Sequence, residues 1–266
     1  MQTSIDVFGI SIKTFGLFFA LNFVAWGLLA ARRLRELGKP VDWAYEMVTV
    51  ALLGGLVGAR AYYPIQHHEG GVSVGDIVSG SGLVWYGGLL GGVIAVVIWA
   101  RRRDFLNLQL LDLAGPCLAL GYAIGRIGCQ VSGDGDYGKA WDGPWAMGYP
   151  HGEVPTAPGV TVHPTPIYET VSMGLVAFAL WQLRDRVRPG VLFALYLVCS
   201  GAERFVVEFW RRNNEVWLGL TAAQLESLAL FVAGVVWLVI VRHRSGTLLE
   251  PGAARARAAT AAPAAA

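Results

Sequence analysis

Two arginines and a glutamate stand at helical spacing near the end of an apolar segment. The stretch Arg204-Phe-Val-Val-Glu208-Phe-Trp-Arg211 puts its charged residues at i, i+4 and i+7, on one face of an α-helix. A guanidinium group stays charged at any physiological pH, and its planar fork donates two hydrogen bonds to phosphate oxygens. The spacing therefore indicates a face that binds an anion, and a phosphodiester suits it best.

A further arginine has a comparable apolar setting. Arg126 lies in the run Gly125-Arg126-Ile127-Gly128, at the end of another apolar segment. A charge near hydrocarbon costs roughly 3 kcal/mol or more unless it is paired or hydrated, so such residues mark functional sites. We therefore predict that Arg126 and Arg204, on two different helices, hold a phosphate together. For Arg60, a functional and a structural role fit about equally well.

Three neighbouring charges have simpler interpretations. Arg211 and Arg212 resemble basic side chains that extend from a helix end to the membrane interface, so an interfacial position is the first interpretation for both. Glu203 is turned by about 100° around the helix from Arg204. We expect Glu203 to contact a different polar neighbour.

A long segment between two apolar runs carries another set of polar side chains. The residues from Ser132 to His163 are rich in Gly, Pro, Asp and aromatic residues, which indicates an ordered, functional loop. Asp134 and Asp136 resemble the start of a calcium loop, but the glutamate at the twelfth position and further oxygen ligands are missing. His163 is a candidate base, hydrogen-bond donor or helix-entry residue.

The three cysteines, Cys117, Cys129 and Cys199, have unrelated spacings that predict neither a disulfide framework nor a metal-ligand set. We interpret them as small buried residues. A catalytic thiol is the alternative for Cys129, because it lies beside Arg126. The sequence also lacks a phosphate-cradling glycine loop and zinc-ligand spacing, so we predict that no metal or other cofactor is required.

The elements that position these residues are membrane-spanning helices. The chain is 55% hydrophobic and only 15% charged, and its apolar runs have the length of roughly 20 residues that crosses a bilayer. The predicted fold class is an all-α integral membrane protein. Its seven transmembrane helices are expected near 11–31, 43–64, 82–100, 105–129, 166–183, 190–210 and 222–241.

The basic residues predict the orientation of these helices. Most of the 21 Lys and Arg residues follow the first, third, fifth and seventh apolar segments, and such residues stay in the cytoplasm. We therefore predict an amino terminus outside and a carboxyl terminus in the cytoplasm. The first span is expected to be retained, since no basic residue precedes it. We expect one transmembrane domain over 1–250, with a long outer loop at about 131–165, and a disordered Ala-rich tail over 251–266.

This orientation places Arg60, Tyr86, Arg126 and Arg204 toward the outer face. A transporter would instead need ionisable groups near the midplane of related halves, and the sequence shows no such repeat. Glycine pairs predict close helix packing, with a notch that admits an acyl chain beside Tyr86 as the alternative. The pairs are 54–55, 87–88 and 91–92.

Four segments occur in an order that is typical of one enzyme family. Gly125-Arg126-Ile127-Gly128, followed by Gly133-Asp134 and Tyr137-Gly138, is similar to the family signature Gly-Arg-x-Gly-Asn-Phe-x-Asn-Gly-Glu and aromatic-Gly. The other three matches are Tyr86-Gly87-Gly88-Leu89 to His-Gly-Gly, His163-Pro-Thr-Pro-Ile-Tyr-Glu169 to His-Pro-Thr-Gln-Leu-Tyr-Glu, and the segment 204–211 to Arg-Phe-x-x-Glu-Phe-x-Arg. Over about residues 10–243, the chain thus resembles the prolipoprotein diacylglyceryl transferases.

The resemblance implies an enzyme of lipoprotein biogenesis that transfers a diacylglyceryl group from phosphatidylglycerol to a prolipoprotein's lipobox cysteine thiol and releases glycerol phosphate. It implies a location in the bacterial inner (plasma) membrane, with catalysis in its outer half. The implied partners are phosphatidylglycerol, prolipoprotein signal peptides with a lipobox cysteine and membrane lipids, without nucleic acid. The implied catalytic residues are Arg126, Arg204, Glu208, Tyr86, Asp134 and His163. The implied substrate-binding residues are Arg60, Gly87, Gly88, Gly138, Tyr168, Glu169 and Arg211.

The chain departs from the family pattern where a base would act. The thiol must lose its proton to attack, and the candidates for this role are Glu208, Asp134, Tyr86 and His163. The departures are Tyr86 for histidine, Cys129 for asparagine, Gln130 for an aromatic residue, Asp134 for glutamate with an extra residue before Tyr137, Thr14-Phe15-Gly16 for Trp-Tyr-Gly, and Ser200 for tyrosine. These departures concern which residue is the base and which acceptor is used, more than how the phosphate is bound. The alternatives are a relative with another acceptor, a non-enzymatic lipid-binding protein or a transporter.

Overall fold

The computed structural model describes residues 2–7, 10–66 and 85–250, and this part of the chain contains seven α-helices and two short hairpins. The helices are α1 Thr14–Glu36, α2 Asp42–Gln66, α3 Trp85–Arg102, α4 Leu108–Ser132, α5 Thr165–Leu183, α6 Val191–Val207 and α7 Ala222–Ser245. The antiparallel hairpins are β1 Ser4–Val7 with β2 Ile10–Lys13, and β3 Glu215–Trp217 with β4 Leu220–Thr221.

The described chain is mostly helical, in keeping with an all-α membrane protein, although the sequence did not predict the hairpins. Four of the described helices, α1, α2, α4 and α7, are long and apolar enough to cross a membrane. Seven spans and their orientation stay predictions. The predicted disordered tail over 251–266 lies outside the described residues.

The structure divides into two compact units, one of Met1–Trp26 with Leu111–Ala266 and one of Gly27–Leu110. One transmembrane domain over 1–250 therefore stays a prediction. In the unit Gly27–Leu110, α2 and α3 pack backbone against backbone. A Cβ atom on Gly91 would lie 2.8 Å from Gly58 Cα, and one on Gly54 would lie 2.7 Å from the Gly91 carbonyl oxygen. The helix contacts predicted from the glycine pairs are confirmed in this unit.

In the other unit, α4, α5 and α6 share an apolar core. Its buried residues are Ala119, Ala123, Met173, Ala177, Leu180 and Leu192. Asp112 of α4 accepts hydrogen bonds from the backbone N–H groups of Gly190 (2.6 Å) and Phe193 (3.0 Å), at the start of α6. A carboxylate at a helix N-terminus satisfies unpaired N–H groups and complements the helix dipole, so Asp112 fixes where α6 begins.

The loop between α4 and α5 is ordered, as its aromatic content predicted. Tyr137 and Tyr149 are buried and stack with their ring centroids 4.7 Å apart. Backbone bridges join Val162 to Ala140 and to Met147. The loop therefore holds the segment before α5 in a defined conformation.

Candidate functional site

A buried glutamate on α5 is shared by three arginines. The side chain of Glu169 is 0% exposed, and its carboxylate lies 2.9 Å from Arg126 Nε, 3.1 Å from Arg204 Nη1 and 3.5 Å from Arg211 Nη1. Tyr122 donates a further hydrogen bond of 2.9 Å to Oε1. Because Glu169 lies near the start of α5, one turn after Thr165, it meets residues from α4 and from the end of α6 at a single point.

The end of α6 turns its charged residues toward this point. The i, i+4 spacing of Arg204 and Glu208 gives an ion pair, with Arg204 Nη2 3.0 Å from Glu208 Oε2. The α-helix ends at Val207 and continues as a 3₁₀ turn over Glu208–Trp210, which is tighter. Arg211 follows this turn and is only 8% exposed. The interfacial interpretation of Arg211 is therefore wrong, because its guanidinium is buried among carboxylates.

Glu208 joins the arginines to the β3–β4 hairpin. Its Oε1 atom accepts hydrogen bonds from Asn213 Nδ2 (2.6 Å), just before β3, and from Thr221 Oγ1 (2.9 Å), in the last residue of β4. Its Oε2 atom has no aligned hydrogen bond and is held by the charges of Arg204 and Arg211. Since a buried carboxylate is stable only with such partners, Glu208 and the hairpin ends depend on each other.

The loop before α5 supplies a third carboxylate, Asp136, which the sequence analysis did not select as a site residue. Asp136 pairs with Arg126 and lies 2.6 Å from Arg211 Nη2. Burial opposes its ionisation, but these two guanidinium groups hold the pKa of the Asp136 carboxyl below its usual value. Asp134, the residue predicted instead, accepts a hydrogen bond of 3.1 Å from the Asp136 backbone N–H. Asp134 thus shapes the turn that presents Asp136.

The cluster pairs three arginines with three carboxylates, and these differ in exposure. Glu169 and Glu208 have fully buried side chains, whereas the Asp136 side chain is 35% exposed. Beside Asp136, an open cavity of about 330 Å³ is also lined by Gly135, Tyr137, Arg211, Arg212 and Asn213. Asp136 and Arg211 are therefore the members of the cluster that border this cavity.

His163 and Tyr168 form an aromatic group with three tryptophans, Trp141, Trp145 and Trp210. The His163 ring stacks on Trp141 at 4.4 Å, and its Nδ1 atom lies 3.2 Å from the Tyr168 hydroxyl. Burial lowers the pKa of His163. Trp210 lies 6.2 Å from both rings, which puts this group directly beside the end of α6. In the described residues, neither His163 nor Tyr168 hydrogen-bonds to an arginine of the cluster.

Gly138 allows the loop to lie close to the start of α5. Its backbone N–H donates to the His163 carbonyl oxygen at 2.8 Å, and a Cβ atom would lie 2.9 Å from His163 Cβ. Thr165 donates a 2.7 Å hydrogen bond to the Asp136 carbonyl oxygen. Close packing therefore explains why residue 138 is glycine, and the Thr165 hydrogen bond holds Asp136 at the start of α5.

Comparison with known proteins identifies the family. The family model for prolipoprotein diacylglyceryl transferase matches residues 2–240. The chain belongs to the prolipoprotein diacylglyceryl transferase family. Two relatives named phosphatidylglycerol–prolipoprotein diacylglyceryl transferase, from Clostridium tetani and Methylobacillus flagellatus, are each 32% identical to it. These alignments cover 90% and 88% of this chain and 97% and 93% of the relatives.

Four residues implied by the prolipoprotein diacylglyceryl transferase resemblance lie in the unit Gly27–Leu110. Arg60 on α2 is half-buried, and Tyr86 on α3 is 50% exposed. Gly88 packs on α2, where a Cβ atom would lie 3.5 Å from Ala59 Cβ, and the Gly87 carbonyl oxygen faces Gly58. In this unit, the two glycines act in helix packing.

Cys129, which replaces the family asparagine, is buried on α4. Its sulfur lies 3.9 Å from Arg126 Nη1, and the ligand atoms of Cys129, Asp134 and Asp136 lie within 4.8 Å of one another. Such a trio of groups is compatible with a metal ion, but Arg126 already supplies positive charge there. The prediction that Cys129 is a small buried residue is confirmed. That no metal is required stays a prediction.

Glu203 has the polar neighbour that was expected. Its Oε1 atom lies 3.1 Å from Ser172 Oγ on α5. The sequence analysis did not include it among the site residues, nor Tyr122 or Asp136. Each of these residues makes its decisive contact with another segment of the chain, which the local patterns do not reveal.

Proposed function

We propose that this protein transfers a diacylglyceryl group from phosphatidylglycerol to the lipobox cysteine thiol of prolipoproteins and releases glycerol phosphate. One observation carries the proposal: Arg126, Arg204 and Arg211 converge on Glu169 in a chain of this family. The names of the relatives describe the same donor and acceptor. A cluster of guanidinium groups in an apolar helical protein suits a lipid phosphate.

The three arginines are proposed to bind the donor phosphate and to stabilise the charge that develops on it as it leaves. They are already paired with carboxylates, so the phosphate must take the place of one of them. Asp136 suits this exchange best, because it is the most exposed of the three and borders the cavity. Glu169 and Glu208 then keep Arg126 and Arg204 oriented, because their own side chains are buried.

The remaining candidates have supporting roles in this proposal. Tyr86 has an exposed side chain that suits a hydrogen bond to a lipid headgroup, and Arg60 is proposed to contribute positive charge. His163 and Tyr168 are proposed to form one wall for the acceptor peptide beside Trp210. Asp134 and Gly138 position the loop, and Gly87 and Gly88 position α3.

We propose that all seven helices span the bacterial inner membrane, with the amino terminus outside and the carboxyl terminus in the cytoplasm. The distribution of Lys and Arg supports this orientation. The arginine cluster then lies toward the outer leaflet, where an exported precursor presents its cysteine. Binding of the apolar part of its signal peptide is proposed to occur within the same leaflet.

The test uses the purified protein in detergent with phosphatidylglycerol and a lipobox peptide. We expect a gain in peptide mass together with glycerol phosphate release, and neither with a peptide that has serine in place of cysteine. Arg126→Ala and Arg204→Ala are each expected to lower the rate by about 100-fold or more.

Two other outcomes of this test contradict the proposal. Phosphatidylglycerol binding without thiol-dependent release would point to another acceptor or to a lipid-binding protein. Absence of phosphatidylglycerol binding would assign the arginines to structural ion pairs.

A further inference from the structure

Among the described residues, Glu203 is a carboxylate without an ion pair to the arginines of the cluster. It is half-buried on α6 directly before Arg204. Glu169, Glu208 and Asp136 each pair with at least two arginines. Within the described residues, Glu203 instead has one hydrogen-bond partner, the Ser172 hydroxyl. A carboxylate in an apolar helix with so little compensation is costly, which indicates a function.

The Ser172 hydroxyl suits both protonation states of this carboxylate. Its Oγ atom lies 2.8 Å from the Tyr168 carbonyl oxygen, 3.1 Å from the Glu169 carbonyl oxygen and 3.1 Å from Glu203 Oε1. A hydroxyl group has one proton to donate and two lone pairs to accept with. Ser172 therefore donates to Glu203 when Glu203 is ionised. When Glu203 is protonated, Ser172 donates to the backbone and accepts the Glu203 proton.

Glu203 is also close in the chain to the cluster and to the acceptor wall proposed above. It directly precedes Arg204 on α6, and its partner Ser172 hydrogen-bonds on α5 to the carbonyl oxygens of Tyr168 and Glu169. The other carboxylates cannot take up a proton without breaking charge-assisted hydrogen bonds to arginine, which are the stronger kind. Glu203 can do so by reversing a single hydrogen bond to a neutral hydroxyl.

We propose that Glu203 accepts the proton of the acceptor thiol, and this inference rests on the proposed function. The S–H bond breaks as an O–H bond forms on Glu203. The thiolate then forms a C–S bond to the diacylglyceryl carbon, whose C–O bond breaks, and the electron pair leaves with the phosphate. The proton returns from Glu203 to water or to the released glycerol phosphate. This assigns the base role to Glu203 in a chain that has Tyr86 in place of the family histidine.

The test is glycerol phosphate release by full-length E203Q with two peptides, one with cysteine and one with selenocysteine in the lipobox. With the cysteine peptide at neutral pH, E203Q is expected to be about 100-fold slower than wild type, the typical contribution of a general base. Its rate should rise as the pH approaches the thiol pKa of about 8.5. A selenol is already ionised at neutral pH, so the selenocysteine peptide should restore the rate to near that of wild type.

Matched variants separate this role from a structural one. E203D keeps a carboxylate and is expected to retain more activity than E203Q with the cysteine peptide. E215Q changes an exposed glutamate of β3 and should behave as wild type. If E203Q does not fold, Ser172→Ala provides the second test, with slower transfer to the cysteine peptide and no defect with selenocysteine.

Three results overturn the inference. One is a normal rate of E203Q with the cysteine peptide, and another is an equal defect with both peptides at every pH. The third is a wild-type protein that transfers to neither peptide, which contradicts the proposed function itself. Retention of phosphatidylglycerol binding by E203Q distinguishes a lost proton acceptor from a lost lipid site.

Discussion

Two helix interfaces, one in each compact unit, are packed by opposite means. In the unit Gly27–Leu110, α2 and α3 approach through Gly54, Gly58 and Gly91, so that backbone contacts backbone. In the other unit, α4, α5 and α6 meet around Glu169, where charged side chains contact one another. Small residues allow close van der Waals packing in a bilayer, whereas paired charges add directional bonds. The first interface is defined by shape and the second by charge.

This difference has consequences for how each interface fails. A glycine interface fails when atoms are added to it, because there is no space for them. A charge cluster fails when a group is removed, because the partners that remain are buried and unpaired. Substitutions of opposite kinds therefore test the two regions.

The largest effect is expected for Glu169→Leu. Removal of the shared carboxylate leaves three arginines without their common partner, and breaking a buried ion pair typically costs about 3–5 kcal/mol. The measurement is the thermal unfolding midpoint in detergent, together with the yield of folded protein. E215L, which changes an exposed glutamate of β3, is the control. A midpoint equal to that of E215L would show that the cluster does not stabilise the fold.

The next largest effect is expected for Gly91→Val, which adds atoms to the glycine interface between α2 and α3. The added atoms meet Gly54 and Gly58 backbone, and overpacking of this kind costs typically about 1–3 kcal/mol. Gly174→Ala on α5 is the matched control, because no atom lies within 4 Å of the added Cβ. Equal unfolding midpoints for the two variants would contradict close packing of α2 on α3.

A smaller loss is expected for Thr221→Ala. Thr221 caps α7 in a capping box with Gln224 and donates to Glu208. The loss of an N-cap hydroxyl costs about 0.5–2 kcal/mol. Thr221→Ser keeps the hydroxyl group and should unfold near the wild-type midpoint. If serine and alanine are equally destabilising, the threonine methyl group rather than the hydroxyl would be responsible.

The smallest effect concerns the pH dependence of Asp136. Its folded-state pKa lies below the unfolded value of 3.8, so the ionised group stabilises the fold above about pH 4. This contribution decreases as the pH falls through the folded-state pKa. Wild type should therefore lose more stability than Asp136→Asn on acidification below pH 4, as measured by unfolding midpoints. Parallel pH profiles of the two proteins would contradict the Asp136 ion pairs.

The glycine interface and most helix positions could be predicted from the sequence because their determinants are local. Apolar runs of sufficient length predicted all seven described helices, and α5 begins one residue before its predicted span. The pair of Arg204 and Glu208 follows from their i, i+4 spacing on a regular helix. Such features depend on neighbours in the chain.

The charge cluster could be predicted only in part because its determinants are distant in sequence. Arg211 follows a 3₁₀ turn, so helical periodicity did not predict that its side chain is buried. Asp136 contacts Arg211 across 75 positions of the sequence. Position in a signature favoured Asp134, but the extra residue before Tyr137 shifts the carboxylate that contacts arginine.

The central claim is that the arginines clustered around Glu169 bind the phosphate of the lipid donor. The most direct measurement is thiol-dependent glycerol phosphate release by folded Arg126→Lys and Arg204→Lys. Lysine keeps the positive charge but lacks the planar guanidinium group, which can donate hydrogen bonds to a phosphate and to a carboxylate at the same time. The account predicts that both variants release glycerol phosphate at a small fraction of the wild-type rate. Wild-type rates in both variants would contradict it.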